Sequence, residues 1–85
     1  MKIFYFPKFL RHYKSLAFDV KSRAVIAEDL FRKNPFDRKL KTHKLSGTFK
    51  GYWAFSIDIR YRVIFELYKK DIILFHDVGS HNIYR

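Results

Sequence analysis

The segment from Gly47 to the end constrains the fold most, because three strand-like runs follow one another there with only short connections. Residues 52–58 and 60–68 alternate in side-chain character with period two, which predicts strands with one buried face. Residues 72–78 are apolar at almost every position, as expected for a strand that is central or covered on both faces. The hairpin-length connections predict that the three strands are antiparallel neighbours.

The same alternation assigns side chains to the two faces of this sheet. Trp53 and Phe55 are expected on the buried face, whereas Ala54 and Ser56 share the opposite one. By the same rule Arg62 points away from the core. The chain then ends in the tail Ser-His-Asn-Ile-Tyr-Arg, so the sheet and its tail together form a candidate RNA-cutting surface.

The N-terminal half predicts one strand and two helices. Residues 2–6 form a β-branched and aromatic run that Pro7 ends, since proline cannot donate a ladder hydrogen bond but suits a first helical turn. The first helix follows Pro7, and Asp19 is the expected N-cap of the second, which Asn34-Pro35 ends. The whole order predicts an α+β, two-layer β-α-α-β-β-β fold, with two helices on one face of a small, mainly antiparallel sheet.

Length and composition limit the class of protein. A chain of 85 residues allows one domain, residues 1–85, with a single core. Its 48% hydrophobic content, with only three glycines and two prolines, excludes a disordered protein. No apolar run approaches the ~18 residues of a membrane helix, so a soluble, cytoplasmic protein is expected. The lack of cysteine excludes disulfides and cysteine-bound zinc.

The net charge of +10 indicates a polyanionic partner, because such a field attracts nucleic acids and acidic proteins. The excess is concentrated between residues 32 and 50, where Asp37 is the single acid. This segment is either a solvated basic loop or a binding surface, and charge alone leaves both open. The candidate RNA-binding residues are Lys41, Lys44, Lys50, Arg60 and Arg85.

Residues 43–57 (HKLSGTFKGYWAFSI), 61–65 (YRVIF) and 76–84 (HDVGSHNIY) resemble the RelE/ParE superfamily of type II toxins, with the RelE and YafQ branches closest in pattern. This resemblance implies a compact RelE-like fold and a cognate antitoxin, expected to be acidic, that neutralises the toxin. It also implies cleavage of messenger RNA in the ribosomal A site, which makes ribosome and message the other expected partners.

The resemblance also implies catalytic residues. Arg62 matches the arginine of the Tyr-Arg-aliphatic strand motif, which holds the scissile phosphate. His81 matches the residue after the Gly-x turn that acts as general acid or phosphate contact, and Tyr84 resembles the terminal tyrosine that orients or stacks on a nucleotide. His43 corresponds to the histidine of the YafQ-type His-x-Leu-x-Gly segment.

The chemistry of these residues suits metal-independent RNA cleavage, which needs a base, an acid and cations around the phosphate. An arginine grips two phosphate oxygens, a histidine transfers protons near neutrality, and Glu66 is a further possible base. Structural alternatives stay open: a surface ion pair for Arg62, turn capping for His81, packing for Tyr84, a loop position for His43, and an ion pair with Arg62 or Lys69 for Glu66.

Two positions depart from the family pattern. Ala54 and Ser56 stand where YafQ-like toxins carry an acid and a histidine and RelE-like toxins carry lysines. Either the chemistry depends on Arg62, His81 and His43, or the protein cleaves poorly. The alternative function is therefore a non-catalytic relative, such as a ParE-like gyrase inhibitor or an antitoxin-binding module.

The remaining histidines are expected to be structural. His76 lies inside an apolar strand, which favours a satisfied, partly buried ring, and His12 lies on the polar side of the first helix. The spacing of His76, Asp77 and His81 has no fixed ligand geometry, so neither a metal ion nor another cofactor is expected.

Overall fold

A computed structural model describes residues 1–80 and 83. Within them the helices are α1 (Pro7–Lys14) and α2 (Phe18–Lys33), and the strands are β1 (Lys2–Tyr5), β2 (His43–Lys44), β3 (Trp53–Ser56), β4 (Tyr61–Lys69) and β5 (Ile72–Ser80). The strands form one sheet in the order β1-β5-β4-β3-β2. Only β1 and β5 pair in parallel, so the predicted mainly antiparallel α+β architecture is confirmed.

The structure differs from the sequence prediction at several places, including the ends of β1, β3 and β4. The prediction of Asp19 as N-cap is wrong: α2 begins at Phe18 and Ala17 is its N-cap, without a side-chain cap bond. Asp19 instead lies in the first turn, where its negative charge favours the helix dipole. The short strand β2 was not predicted because two residues are too few to show alternation, and β5 continues to Ser80.

Phe31 of α2 is the centre of the core and is fully buried. Its ring centroid lies 4.8 Å from that of Phe55, 5.0 Å from Phe65 and 5.4 Å from Phe75. Phe9 of α1 joins the same cluster. The helices therefore cover the sheet face that carries Phe55, as the alternation predicted.

The face of β3 and β4 that points away from the helices, called here the second face, carries the predicted site residues Arg62 and His43. Its paired rows are His43, Ala54 and Ile64, and then Ser56, Arg62 and Gly79. A Cβ built on Gly79 would come within 2.3 Å of Cγ2 of Ile83, so Ile83 packs directly against this strand. Because Gly79 pairs with Arg62, Ile83 lies on the second face beside the arginine.

Candidate functional site

The turn between β3 and β4 is organised by the carboxylate of Asp58. Its Oδ1 accepts hydrogen bonds from the backbone N–H groups of Arg60 and Tyr61, both at 2.9 Å, and its Oδ2 accepts one from Nε of Arg23 at 3.0 Å. Burial raises the pKa of Asp58, but these three hydrogen bonds together lower it by more, so the net pKa lies below its usual value. The charged carboxylate thus ties the turn to α2.

Arg62 is held by the same turn. Its Nη1 donates to the carbonyl oxygens of Asp58 at 2.7 Å, Ile59 at 3.1 Å and Tyr61 at 3.1 Å. Within residues 1–80 and 83, every hydrogen bond of this side chain goes through Nη1 and none goes to a carboxylate, so the surface ion pair considered above is not formed there. Nε and Nη2 meet no acceptor among the described residues, which leaves two donors for a phosphate.

Arg62 lines a cleft of 270 Å³ together with Lys39 and Lys41. Ser56, Asp58 and the two isoleucines beside Asp58 complete its wall. The one carboxylate in the wall already accepts hydrogen bonds from the turn and from α2. Three cations around a small concavity favour an anion such as a phosphate group.

Nδ1 of His43 donates to the carbonyl oxygen of Lys41, a residue of this cleft, at 2.9 Å, and His43 itself lines a separate concavity with residues 45–49. A carbonyl oxygen can only accept, so in the neutral ring the proton lies on Nδ1 and the lone pair lies on Nε2. The side chain is exposed, and the residue pairs with Ala54 across the β2–β3 ladder. His43 therefore offers a proton acceptor next to a cationic cleft.

Ala54 and Ser56 contribute no proton-transfer group to the second face. Ala54 is fully buried and Ser56 is 8% exposed. Among the described residues Oγ of Ser56 is buried without a hydrogen-bond partner, so it presents no accessible hydroxyl to the cleft. The departure from the family pattern thus persists in three dimensions.

The pairing of Glu66 corrects one of the expectations above. Its Oε1 lies 2.9 Å from Nε2 of His76, whereas Arg62 and Lys69 had been considered as its partners. The imidazole is also stacked against Tyr52, at 4.6 Å between ring centroids, and lies 4.2 Å from the ring of Phe6. His76 is therefore satisfied and partly buried, as predicted.

His12 has a more definite role than a position on a polar helix face. Its Nδ1 lies 2.6 Å from Oδ1 of Asp77, which is 5% exposed, and Nζ of Lys8 lies 3.5 Å from the other carboxylate oxygen. These contacts join α1 to β5. Because 65 residues separate His12 from Asp77, no local pattern in the sequence could have indicated the pair.

The other predicted RNA-binding residues are placed apart from the cleft or outside the described residues. Lys44 and Lys50 line a second pocket, and the guanidinium of Arg60 lies 5.8 Å from the centroid of the Tyr61 ring. The predictions for His81, Tyr84 and Arg85 fall on residues outside those that the structure describes. The structure thus brings Arg62 and Lys41 together in one cleft, joins the His43 ring to the backbone of Lys41, and places Lys44 and Lys50 in a different pocket.

Lys39 is the cleft residue that sequence reasoning missed. It lies in a short 3-10 turn, Arg38–Leu40, and the carboxylate of Asp37 accepts a hydrogen bond from its backbone N–H at 2.9 Å. An aspartate that caps a turn soon after Asn34-Pro35 is a local signal that could have placed Lys39.

Among residues 1–80 and 83, no group of three or more acidic or histidine side chains could hold a metal ion, and neither helix is long and apolar enough to cross a membrane.

Comparisons with known proteins identify the family and the fold. A family model described as the bacterial toxin of the type II toxin-antitoxin system YafQ matches residues 1–84. The crystal structure of YafQ from E. coli strain BL21(DE3) is 23% identical, with a TM-score of 0.79, and covers 98% of this chain and 96% of that one. No curated protein matches the sequence.

Two further structures share the fold. The YoeB/ParE toxin from Agrobacterium tumefaciens is 16% identical, with a TM-score of 0.79, and the match covers 95% of this chain and 99% of that one. The toxin chain in the E. coli DinJ-YafQ complex is 21% identical, with a TM-score of 0.69, over 96% and 94% of the two chains. At these identities the likeness establishes the fold.

Proposed function

The chain belongs to the YafQ family of bacterial type II toxins, and we propose that it inhibits translation by cutting messenger RNA on the ribosome. The observation that carries the proposal is the cleft of Arg62, Lys39 and Lys41, with His43 bonded to the backbone of Lys41. A phosphate site with an adjacent proton acceptor is the minimum arrangement for attack by a ribose hydroxyl.

In this mechanism Nε2 of His43 removes the proton from a 2′-hydroxyl, and the 2′-oxygen forms a bond to the adjacent phosphorus. Arg62 and the two lysines stabilise the negative charge that builds on the phosphate oxygens. The bond from phosphorus to the 5′-oxygen then breaks, and His81 donates a proton to that leaving oxygen. The products are a 2′,3′-cyclic phosphate and a 5′-hydroxyl end, and Tyr84 orients the flanking nucleotide.

The proposal includes an acidic antitoxin that covers the Arg62 cleft. The E. coli YafQ structure with DinJ is a toxin-antitoxin complex, which supports a partner of the same kind here. A net charge of +10 accelerates association with an acidic protein, and charge pairs that become buried slow its dissociation.

A second candidate is a toxin of this fold that binds its target without cutting RNA. The burial of Ala54 and Ser56 favours it, since neither residue supplies a proton to the second face. DNA gyrase is then the alternative target. The two candidates differ in what fails first in the cell: protein synthesis for the nuclease, and DNA topology for the gyrase inhibitor.

Substitution of Arg62 tests the proposal. We expect Arg62→Ala to lower message cleavage about 10²-fold, the usual scale for one electrostatic group at a reacting phosphate. The measurements are methionine incorporation after induction and primer extension on ribosome-bound message. Arg11→Ala, which removes the same charge from an exposed position on α1, is the control and should cut as the parent does.

Thermal melts of both variants separate lost chemistry from lost folding. Full cleavage by a folded Arg62→Ala protein would refute the assignment of the cleft. Unchanged translation with relaxed or broken DNA would move the function to gyrase.

A further inference from the structure

A second concavity, called here the loop pocket, lies away from the Arg62 cleft. Its volume is 590 Å³, which is within the range of ~300–1,000 Å³ common for small-ligand sites. It is lined by the segment that joins β2 to β3, from Lys44 to Gly47 and from Lys50 to Trp53. The cleft mechanism uses none of these residues.

The wall of the loop pocket combines flat apolar surface with positive charge. Tyr52, Trp53 and Leu45 supply the apolar surface, and Lys44 and Lys50 supply two exposed ammonium groups. Nζ of Lys44 lies 5.5 Å from the centroid of the Trp53 ring. The residues that line the pocket include two lysines and no acid.

Two glycines keep one side of the loop pocket open. Gly47 has φ +65° and Gly51 has φ +96°, and a Cβ built on either would meet nothing within 4 Å. A side chain at these positions would therefore strain the backbone and narrow the pocket. The conformation leaves room for a planar group beside the aromatic wall.

We infer that the loop pocket binds one unpaired nucleotide of single-stranded RNA, with its base against Trp53 and its flanking phosphates on Lys44 and Lys50. Aromatic side chains interleaved with lysines are the usual platform for an unstacked base and its backbone. The inference rests on the proposed function for the choice of RNA as ligand. It assigns to that RNA a contact separate from the site of cutting.

The placement of the loop pocket fits one continuous strand of RNA. Trp53 opens β3 and Ser56, in the wall of the Arg62 cleft, closes it. Three residues along a strand correspond to ~10 Å. Residues three apart on a strand point to opposite faces, so an oligonucleotide that reaches both sites passes around the β2 edge of the sheet.

The chain contains a built-in reporter for the loop pocket, because Trp53 is its only tryptophan. The probe is a short single-stranded RNA with 2′-O-methyl riboses, which cannot be cut because the attacking hydroxyl is blocked. We expect the emission of Trp53 to be quenched at the RNA concentrations that raise the anisotropy of a labelled copy. The duplex of the same sequence should quench far less, since its bases are stacked.

Substitution of the two lysines gives the magnitude. Each phosphate contact on a single strand contributes about −0.7 to the slope of the logarithm of the binding constant against the logarithm of the salt concentration. At 0.1 M salt, relative to 1 M, each lysine therefore raises the affinity about 5-fold. The Lys44→Ala/Lys50→Ala variant should therefore bind about 25-fold more weakly, with a salt slope smaller by about 1.4. The control is Lys2→Ala/Lys14→Ala, which removes the same charge from exposed residues of β1 and α1, away from the β2 edge.

Three results would overturn the inference. In the first, the anisotropy shows that RNA binds, but Trp53 emission does not change and both double variants bind equally well. This result would place the contact elsewhere and leave the proposed function intact. No binding of the RNA by the parent protein would exclude the pocket, and the translation assay reports separately on the function. Equal quenching by oligoglutamate would show a site for an acidic protein segment.

Discussion

Replacement of Asp58 tests how the turn holds Arg62. The carboxylate accepts two backbone hydrogen bonds and one from Arg23, and the carbonyl oxygens of the same turn hold the guanidinium of Arg62. A hydrogen bond to a charged group contributes about 1.5–3 kcal/mol. Because the turn is partly exposed, hydrogen bonds to water replace much of this energy in the variant. We therefore expect Asp58→Ala to lower the free energy of unfolding by about 2 kcal/mol in total.

For a domain of this size, that loss lowers the melting temperature by roughly 10 °C. Asp58→Asn keeps the Oδ1 acceptor but removes the charge, and neutral hydrogen bonds are about half as strong, so it should cost about 1 kcal/mol. Because a 1 Å displacement of a positioned group costs up to about 10²-fold in rate, Asp58→Ala should also weaken message cleavage more than Asp58→Asn does.

The pH dependence separates the charge of Asp58 from its shape. The folded-state pKa of this carboxyl lies below the unfolded value of about 3.9, so its charge stabilises the fold fully above that value. The contribution is lost as pH falls through the folded pKa. The difference in melting temperature between the parent and Asp58→Asn should therefore be constant near neutrality and disappear in acid.

Thermal melts at pH 7, 5 and 3 measure this, with Asp29→Asn, an exposed acid on the same helix as Arg23, as control. The reasoning fails if Asp58→Ala melts with the parent, or if the gap to Asp58→Asn is the same at every pH.

Two further predictions concern the core and the C-terminal contact. Phe31→Ala removes a fully buried ring, so it should lower the free energy of unfolding by ~3–5 kcal/mol and abolish the near-ultraviolet circular dichroism. Val25→Ala, on the exposed side of α2, is the control and should change that free energy by less than ~0.5 kcal/mol. Equal melting temperatures of the two variants would contradict the packing described. Gly79→Ala should displace Ile83 and weaken translation arrest with little change in melting temperature, since its new Cβ would lie 2.3 Å from Cγ2 of Ile83. The added Ile83→Ala change should restore arrest, and a fully active Gly79→Ala protein would show that this contact is dispensable.

The sequence could predict the elements whose signals are local. Period-two alternation located β3 and β4, a continuous apolar run located β5, and proline marked both the start of α1 and the end of α2. The N-cap of α2 could not be read in this way, because Ala17 takes the extended conformation without a side-chain bond. A cap that depends on backbone geometry leaves no residue type for a pattern to detect.

The candidate site was less predictable because its groups come from distant parts of the chain. Arg62 was placed correctly on the face away from Phe55, but its carbonyl partners depend on how the turn folds back. Lys39 reaches the same cleft from a 3-10 turn more than twenty residues earlier. Periodicity reports which way a side chain points, whereas contacts across strands and turns are set by register.

The register of β2 bears on the missing acid and histidine of β3. His43 pairs directly with Ala54, and the Cβ atoms of such a pair lie ~4.5–5.5 Å apart. His43 is therefore the direct cross-strand neighbour of position 54, although Ala54 is fully buried and His43 is exposed. Its Nδ1 bond to Lys41 leaves Nε2 as the acceptor, next to a residue of the Arg62 cleft. The neighbouring strand thus carries a proton acceptor that position 54 lacks, which is consistent with the proposed nuclease.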